Sequence, residues 1–292
     1  MENPGLSIIV PAFNEAVNLE IILPQLIDYS LKRQWQIILV NDGSSDFTRT
    51  FLNNFVNESN LTIFHHKVNK GYGAALKTAI NASNTEYCIT FDADGQHYTE
   101  DIDSLLDHII QNDADMVVGS RKGLKSASII RGLGKTIIRI IARILMPVPI
   151  HDINSGMKIF RTDLAKKYAY LGPDTMSFSD TFTLVFINNK HLVLEKAIRI
   201  KDRISGQSTI GIQTAFQTIM EIINIVILFN PMKIFLPVSL ICIFFTLLWG
   251  LPIAFMGRGV STGSLLGIIS GLFFFLMGLM AEQLSLIRKR QN

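Results

Sequence analysis

Two uncharged stretches near the C-terminus constrain this chain more than any other feature. Ile234 to Met256 runs 23 residues and Val260 to Ala281 runs 22 without an acidic or basic side chain; a helix needs about 20 residues to cross about 30 Å of hydrocarbon. Between positions 234 and 287 the charges are Arg258 and Glu282 alone, although the 292-residue chain carries 27 basic and 24 acidic residues. Two transmembrane helices are therefore expected, at about 234–256 and 260–284, joined by a link at Gly257 to Gly259 that is too short for a domain. Two buried core helices are the alternative, and the absence of polar faces argues against it. Lys233 before the first span and Arg288, Lys289 and Arg290 after the second put both outer ends on the cytoplasmic side of an inner membrane. Arg258 votes weakly the other way. Glu282, close to the interface, either serves a function or snorkels.

The rest of the chain has the charge of an ordinary soluble domain and is long enough for one α/β core. Disorder, collagen and coiled coil are excluded. A net charge of +3 does not suggest a nucleic-acid partner. Cys88 and Cys242 both lie in apolar runs and are spaced neither for a metal nor for a disulfide. Met1 to Gly5 leads directly into an apolar run, so no cleaved signal peptide is expected.

Apolar runs at Leu6 to Val10, Gln36 to Val40, Leu61 to Phe64, Tyr87 to Phe91 and Asp115 to Val118 look like strands. Helix-like segments begin between them, near Asn14, Asp46, Gly71 and Asp101. This alternation predicts a mainly parallel sheet covered by helices, with ligands bound beyond the carboxyl ends of its strands. Polar clusters fall at those ends: Asn14 and Glu15, Asp42 to Ser45, and Asp92 to Gln96. The expected division is an α/β domain over 1–206, an interfacial amphipathic helix over 207–230 and the hairpin over 231–292.

The strongest local signal is Thr90-Phe91-Asp92-Ala93-Asp94-Gly95-Gln96-His97. Residues i and i+2 at a strand end face one side, so Asp92 and Asp94 would repel unless a hard cation joined them. Mg²⁺ or Mn²⁺ takes one or two carboxylates together with phosphate oxygens and water, and that points to a metal-bridged diphosphate. Asp-rich turns also cap helices, and the pair alone leaves both readings open. Pro11-Ala12-Phe13-Asn14-Glu15 offers an aromatic ring and polar groups suited to a nucleobase, and an exposed Asp42 would accept base N–H groups. Ser45 or Asp46 fits an N-cap equally well. Lys70 and Gly71 open a helix as phosphate approach requires, and turn chemistry explains them as well. The six histidines show no metal-ligand spacing, and neither His97 nor His151 is expected to act as a base.

From Arg121 to Arg143 there is no acidic residue, and Arg131, Lys135, Arg139 and Arg143 recur every four residues along one helical face. Such a stripe suits a membrane surface, where anionic headgroups attract each cation by about 1 kcal/mol. A solvated face on a core helix is the plainer alternative. Gln207 to Phe229 is expected to form a second interfacial helix.

Taken together, these pieces resemble the inverting family 2 glycosyltransferases. Asp152-Ile153-Asn154-Ser155-Gly156-Met157-Lys158 resembles the Asp-x-x-Ser-Gly-Phe-Arg segment of the polyprenyl-phosphate, dolichol-phosphate mannose synthase-like group. Arg203-Ile204-Ser205-Gly206-Gln207-Ser208-Thr209 is similar to its Arg-x-x-Gly-x-Ser-Lys segment, and Asn230 to Pro237 to the lead-in of its membrane hairpin. Met157-Lys158 departs from Phe-Arg, and Thr209 stands where a lysine is common.

The resemblance implies a glycosyltransferase A type domain that transfers a hexose from a UDP- or GDP-linked sugar to a dolichyl or undecaprenyl phosphate, with inversion and a divalent metal. It implies that Pro11, Phe13, Asn14, Glu15 and Asp42 hold the nucleoside, with Lys70 and Gly71 nearby, and that Asp92, Asp94 and Gln96 surround the metal and diphosphate. Arg121, Arg131 and Arg203 would handle phosphates, and Asp152, Ser155 and Gly156 would shape the sugar pocket. Because a phosphate monoester is largely dianionic at neutral pH, no side-chain general base is expected. A diacylglycerol acceptor and a noncatalytic tethered binding protein are the rivals. A nucleotidyltransferase would need a glycine-rich N-terminal loop that is missing. A homo-oligomer is compatible with the sequence.

Overall fold

The computed structural model describes residues 5–121, 149–153, 155–201, 220, 223–224, 226–227, 229–257 and 259–291. The chain forms two compact units. The first contains a seven-stranded sheet: β1 (Leu6–Ala12), β2 (Gln36–Asn41), β3 (Leu61–His65), β4 (Tyr87–Thr90), β5 (Met116–Ser120), β6 (Lys158–Arg161) and β7 (Val193–Ala197). Their spatial order is β3-β2-β1-β4-β6-β5-β7. The pairs β1–β2, β2–β3, β1–β4 and β5–β7 are parallel, whereas β6 runs antiparallel to both β4 and β5. The helices are α1 (Ala16–Leu31), α2 (Thr48–Leu52), α3 (Tyr72–Ala82), α4 (Glu100–Gln111), α5 (Thr162–Tyr168) and α6 (Phe178–Asn188).

All five expected strands are present, and helices begin within a few residues of the expected starts. Every residue of β1 is buried, as a strand covered on both faces requires. Ile8, Ile37, Leu39, Ile89, Val117 and Ile159 anchor the main cluster, each without measurable exposure, and each such side chain contributes roughly 1.5–3 kcal/mol of burial. β6 and β7 were not anticipated. β6 has four residues and begins and ends on a cation, and the edge strand β7 carries Glu195 and Lys196 where an apolar pattern would be sought. β6 is held from behind by a ring ladder: Phe160 meets Phe182 of α6 at 5.1 Å, and Phe178 and Phe186 extend the row one helical turn to either side.

Chain order reverses between β1 and β4, because β2 and β3 lie on one side of β1 and every later strand on the other. The crevice at such a switch point is where open α/β sheets bind ligands. It is bordered by the residues after Ala12 on one side and after Thr90 on the other.

The second unit contains two helices, α7 (Met232–Phe255) and α8 (Thr262–Gln291). Their apolar windows have mean hydropathies of 2.4 and 2.2 and are 6% and 17% buried, so their side chains face outward rather than into a core. The helices pair through small residues. A side chain at Gly267 would meet Thr246, and one at Gly271 would meet Ile243 and the Ser239 carbonyl, while Ser239 Oγ donates to the Gly271 carbonyl at 2.7 Å. Close approach over glycines together with an interhelical hydroxyl bond is how helices associate where solvent is itself apolar.

Candidate functional site

Asp92, directly after β4, is the hub of the crevice. Tyr72, the first residue of α3, donates its hydroxyl to Asp92 Oδ1 at 3.0 Å, and His97 Nε2 stands 3.6 Å from Oδ2. Gly156, just before β6, lies so close that a Cβ there would fall 1.9 Å from Oδ2. Burial of Asp92 opposes ionisation, but the contacts from His97 and Tyr72 outweigh it and hold the carboxyl below its usual range. Tyr72, buried beside this charge, has its phenol pushed well up and stays a donor. Asp94 Oδ1 accepts the Gln96 backbone N–H at 3.1 Å, and Gln96 pairs with Lys201 on both sides through N–H···O bonds of 2.8 and 3.4 Å.

Asp92, Asp94 and Gln96 thus occupy one turn at the switch point, and their donor set is all oxygen. Among the described residues no cluster of three or more His, Cys, Asp or Glu forms a complete metal cage. Two hard carboxylates nevertheless fit Mg²⁺ or Mn²⁺, whose remaining ligands are phosphate and water. They do not fit zinc, which prefers nitrogen and sulfur.

Asp42 departs from expectation. It is 3% exposed, and its carboxylate accepts from His66 Nδ1 at 2.6 Å, Lys70 N at 3.0 Å and Gly71 N at 2.7 Å. His66 Nε2 is in turn 2.9 Å from Thr78 Oγ1 of α3. Turn chemistry accounts for Lys70 and Gly71: Gly71 has φ +102°, where a side chain would also strike the Asp174 carbonyl at 2.2 Å. The next amides, Gly73 and Ala74, donate to that same carbonyl at 2.9 and 3.4 Å. The amides of Lys70, Gly71, Gly73 and Ala74 are therefore occupied within the protein, contrary to the phosphate cradle that the glycines suggested.

Asn14, at φ +56°, ties the first strand end to the second. Its Oδ1 accepts Ser45 N at 2.8 Å and Asp46 N at 3.3 Å, and its own N–H donates to Ser44 Oγ at 2.9 Å. Asp46 accepts Thr48 N at the start of α2 and Ala16 N at the start of α1, but the N-cap positions of the two helices are Phe47 and Glu15, so neither Ser45 nor Asp46 is the N-cap. Glu15 N donates to Thr48 Oγ1 at 3.0 Å, and the Glu15 carboxylate accepts from Asn18. Pro11 is buried in β1, whereas Phe13 is 44% exposed at the crevice rim.

Asp152 and Arg121, expected to serve sugar and phosphate separately, form one bidentate pair. Arg121 donates Nε to Oδ2 at 2.7 Å and Nη2 to Oδ1 at 2.8 Å, and its backbone N–H adds a third bond at 3.0 Å. Burial would push the Asp152 carboxyl up, but the guanidinium holds it below the usual range. Behind the pair, Glu195 of β7 accepts from the His151 and Asp152 amides. Ser155 is fully buried, and its carbonyl accepts Ser179 Oγ of α6 at 2.9 Å. Arg131, Arg203 and Thr209, the basic stripe and residues 207–219 lie outside the described residues.

Residues that sequence reasoning did not select complete the site: Tyr72 and His97 on Asp92, His66 on Asp42, and the buried Lys158. Tyr72 follows directly on Lys70 and Gly71, so its position was available, but nothing in sequence shows that α3 points its first side chain at Asp92.

An acidic turn at the switch point of a mixed sheet, braced by a returning antiparallel strand, defines a glycosyltransferase A type fold. Residues 7–169 match the model described as Glycosyl transferase family 2, which is more than half of the chain, and the chain belongs to that family. Residues 230–287 match the GtrB C-terminal hairpin. A dolichyl-phosphate beta-glucosyltransferase of Dictyostelium discoideum is 30% identical over 186 residues, covering 57% of this chain and 57% of its own. A dodecaprenyl-phosphate galacturonate synthase of Rhizobium johnstonii is 25% identical over 226 residues, covering 75% and 66%. The chain thus spans less than two thirds of either relative. Among solved structures, the glucosyl-3-phosphoglycerate synthase of Mycobacterium tuberculosis superposes with a TM-score of 0.59 at 14% identity, over 76% of this chain and 80% of that one.

Proposed function

We propose that the protein transfers a hexose from a nucleotide diphosphate sugar to a polyprenyl phosphate, with inversion, at the cytoplasmic face of a membrane. The observation that carries this is the Asp92–Asp94 turn at the switch point, with Asp92 braced by Tyr72, His97 and Gly156. Both relatives named above act, by their names, on polyprenyl phosphates. The apolar pair α7 and α8 is long enough to keep such a chain at a bilayer, and the flanking cations favour the cytoplasmic side.

A Mg²⁺ or Mn²⁺ ion held by Asp94 and Asp92, with Gln96 adjacent, would neutralise the charge that develops on the departing diphosphate. The braced position of Asp92 fixes where that charge is met. Two of the N–H groups of Arg121 are spent on Asp152, and the rest of the fork would meet a donor phosphate. Asp152, kept anionic by that pairing, stabilises positive charge at the anomeric carbon as an oxocarbenium-like transition state requires. The acceptor phosphate needs no proton removed, so Arg131 and Arg203 matter for holding a dianion and no carboxylate serves as a base.

We further propose a uracil base on the donor. A carboxylate offers about four acceptor positions, and Asp42 already fills three. One remaining position matches the single ring N–H of uracil, whereas guanine presents N1–H together with its amino group. Phe13 at the rim supplies a stacking face.

Membranes containing the protein, incubated with labelled UDP- and GDP-sugars and either polyprenyl phosphate or diacylglycerol, test the reading. Labelled polyprenyl-phosphate sugar from a UDP donor is the expected product. Product on diacylglycerol alone, or none with any donor, overturns it.

A further inference from the structure

Lys158 opens β6 and is 2% exposed, among the most deeply buried large side chains of the protein. Its ammonium has three N–H groups, and all three are met: by the Ile153 carbonyl at 2.7 Å, the Ser179 carbonyl at 2.6 Å and Thr183 Oγ1 at 2.7 Å. Two of these acceptors belong to the first turns of α6. The third lies in the segment between Asp152 and Gly156. Ser179 Oγ adds a parallel tie to the Ser155 carbonyl. This short segment carries both Asp152, paired with Arg121, and Gly156, pressed against Asp92.

We propose that Lys158 is the positioning residue of the donor site, its ammonium bolting the segment from Asp152 to Gly156 onto α6 so that Asp152 and Asp92 keep their places. This deepens the transferase reading and rests on it for its catalytic consequence, whereas the bolt itself is a matter of structure. Buried, with all three of its N–H groups on protein acceptors, Lys158 acts through the segment it holds.

Charge lets the ammonium donate to all three acceptors while Thr183 Oγ1 donates to the Ser179 carbonyl at 3.0 Å. A neutral amine keeps two N–H groups, and holding the third contact would turn the Thr183 proton away from that carbonyl, so one bond of the network is lost. Burial disfavours the ammonium and pulls its pKa down to about 8, with Asp180 of α6, Asp152 and Asp92 working against that fall and Arg121 at the end of β5 adding to it. The lysine is therefore protonated below this value, and the network loses one bond as pH rises through it. Arginine, which the resembled Asp-x-x-Ser-Gly-Phe-Arg segment carries here, stays charged throughout.

The test uses the full chain in detergent and compares the native protein with Lys158→Arg and Lys158→Met by steady-state transfer from pH 6.5 to 9.5. Hydrogen exchange of the peptide covering residues 149–158 is followed at pH 7. Native kcat is expected to drop about tenfold between pH 7 and pH 9, as one pH unit beyond a titration implies. Lys158→Arg should change less than about twofold over the same range. Lys158→Met should lose about a hundredfold in kcat at every pH, the scale of a 1 Å misplacement, with the donor KM within about threefold, and its 149–158 peptide should exchange faster while Lys158→Arg stays protected. A basic limb unchanged in Lys158→Arg overturns the proposal, as does full kcat in Lys158→Met. If the native protein transfers nothing, the functional reading fails and exchange alone decides: faster exchange in Lys158→Met with protection in Lys158→Arg upholds the bolt, and equal exchange in all three removes it. If Lys158→Met does not fold, the limb of Lys158→Arg against native still decides.

Discussion

Gly156→Ala tests the geometry of the acidic turn with one methyl group. The added Cβ would lie 1.9 Å from Asp92 Oδ2, 2.9 Å from Cγ and 3.3 Å from Oδ1. Two atoms of this size touch at about 3.5 Å, so the carboxylate must retreat by more than about 1 Å or Gly156 must move with β6. The carboxylate is the softer of the two, because β6 is hydrogen-bonded on both sides to β4 and β5. Its retreat breaks the 3.0 Å bond from Tyr72, worth about 1.5–3 kcal/mol for a charged acceptor, and forces an off-rotamer side chain at about 0.5–1.5 kcal/mol. A displacement of this size at a reacting centre lowers turnover by about a hundredfold. The assay is kcat with saturating donor and metal, alongside Mn²⁺ affinity by calorimetry and a thermal melt. Gly5→Ala, whose Cβ would make only ordinary contact at 3.5 Å, serves as the control and should behave as native. Gly156→Ala turning over within about threefold of native, at unchanged Mn²⁺ affinity, would refute the placement of Asp92 against Gly156.

Tyr72→Phe deletes the hydroxyl on Asp92 and should weaken Mn²⁺ binding by about tenfold, near the lower end of a charge-assisted bond, measured by calorimetry on the full chain. Arg121→Ala leaves Asp152 without its guanidinium; a loss of about 1–3 kcal/mol is expected by urea titration, discounted because the pair is partly exposed. The pH dependence has a definite sign. The folded pKa of Asp152 is depressed, so its pairing stabilises fully at neutral pH and is lost as pH falls through that folded value; native stability should decline on acidification more steeply than that of Arg121→Ala, and parallel curves would remove the pair from the account. In the hairpin, Gly267→Leu would drive a side chain into Thr246, where even a Cβ stops 2.0 Å from Oγ1, and the detergent-solubilised protein should melt at lower temperature, whereas the outward-facing Leu266→Ala should not change the melt.

How much of this was legible in sequence depends on whether a feature is carried by one segment or by the meeting of several. β1, β2 and β4 announce themselves as apolar runs because both faces of a central parallel strand are buried. The two apolar helices α7 and α8 do so by length and lack of charge. β6 does not, since four residues beginning with lysine carry no pattern, and its direction is set by pairing with two strands far away in sequence. The same limit explains Asp42. A carboxylate at a strand end reads as exposed, and what buries it is the chain between His66 and Gly71, which returns 24 to 29 residues later.

The departure of Lys158 from the arginine of the family segment looks conservative by charge alone, and the structure shows why it is not. A guanidinium offers a planar fork that no pH in a working range can discharge, whereas the ammonium here donates to its three acceptors only while protonated. Substituting lysine keeps the geometry at neutral pH and adds a titration that arginine would not have. The acidic turn is the part of the site that sequence could name. Its precision is set by residues chosen for what lies behind it: Tyr72 by the start of α3, Gly156 by the return of β6, and Lys158 by the Ser179 carbonyl and Thr183 hydroxyl of α6. Substitutions at these three should therefore alter turnover without removing any group that touches the sugar, and their effects should be less than additive, because all three converge on Asp92: Tyr72 and Gly156 directly, and Lys158 through the segment that carries Gly156.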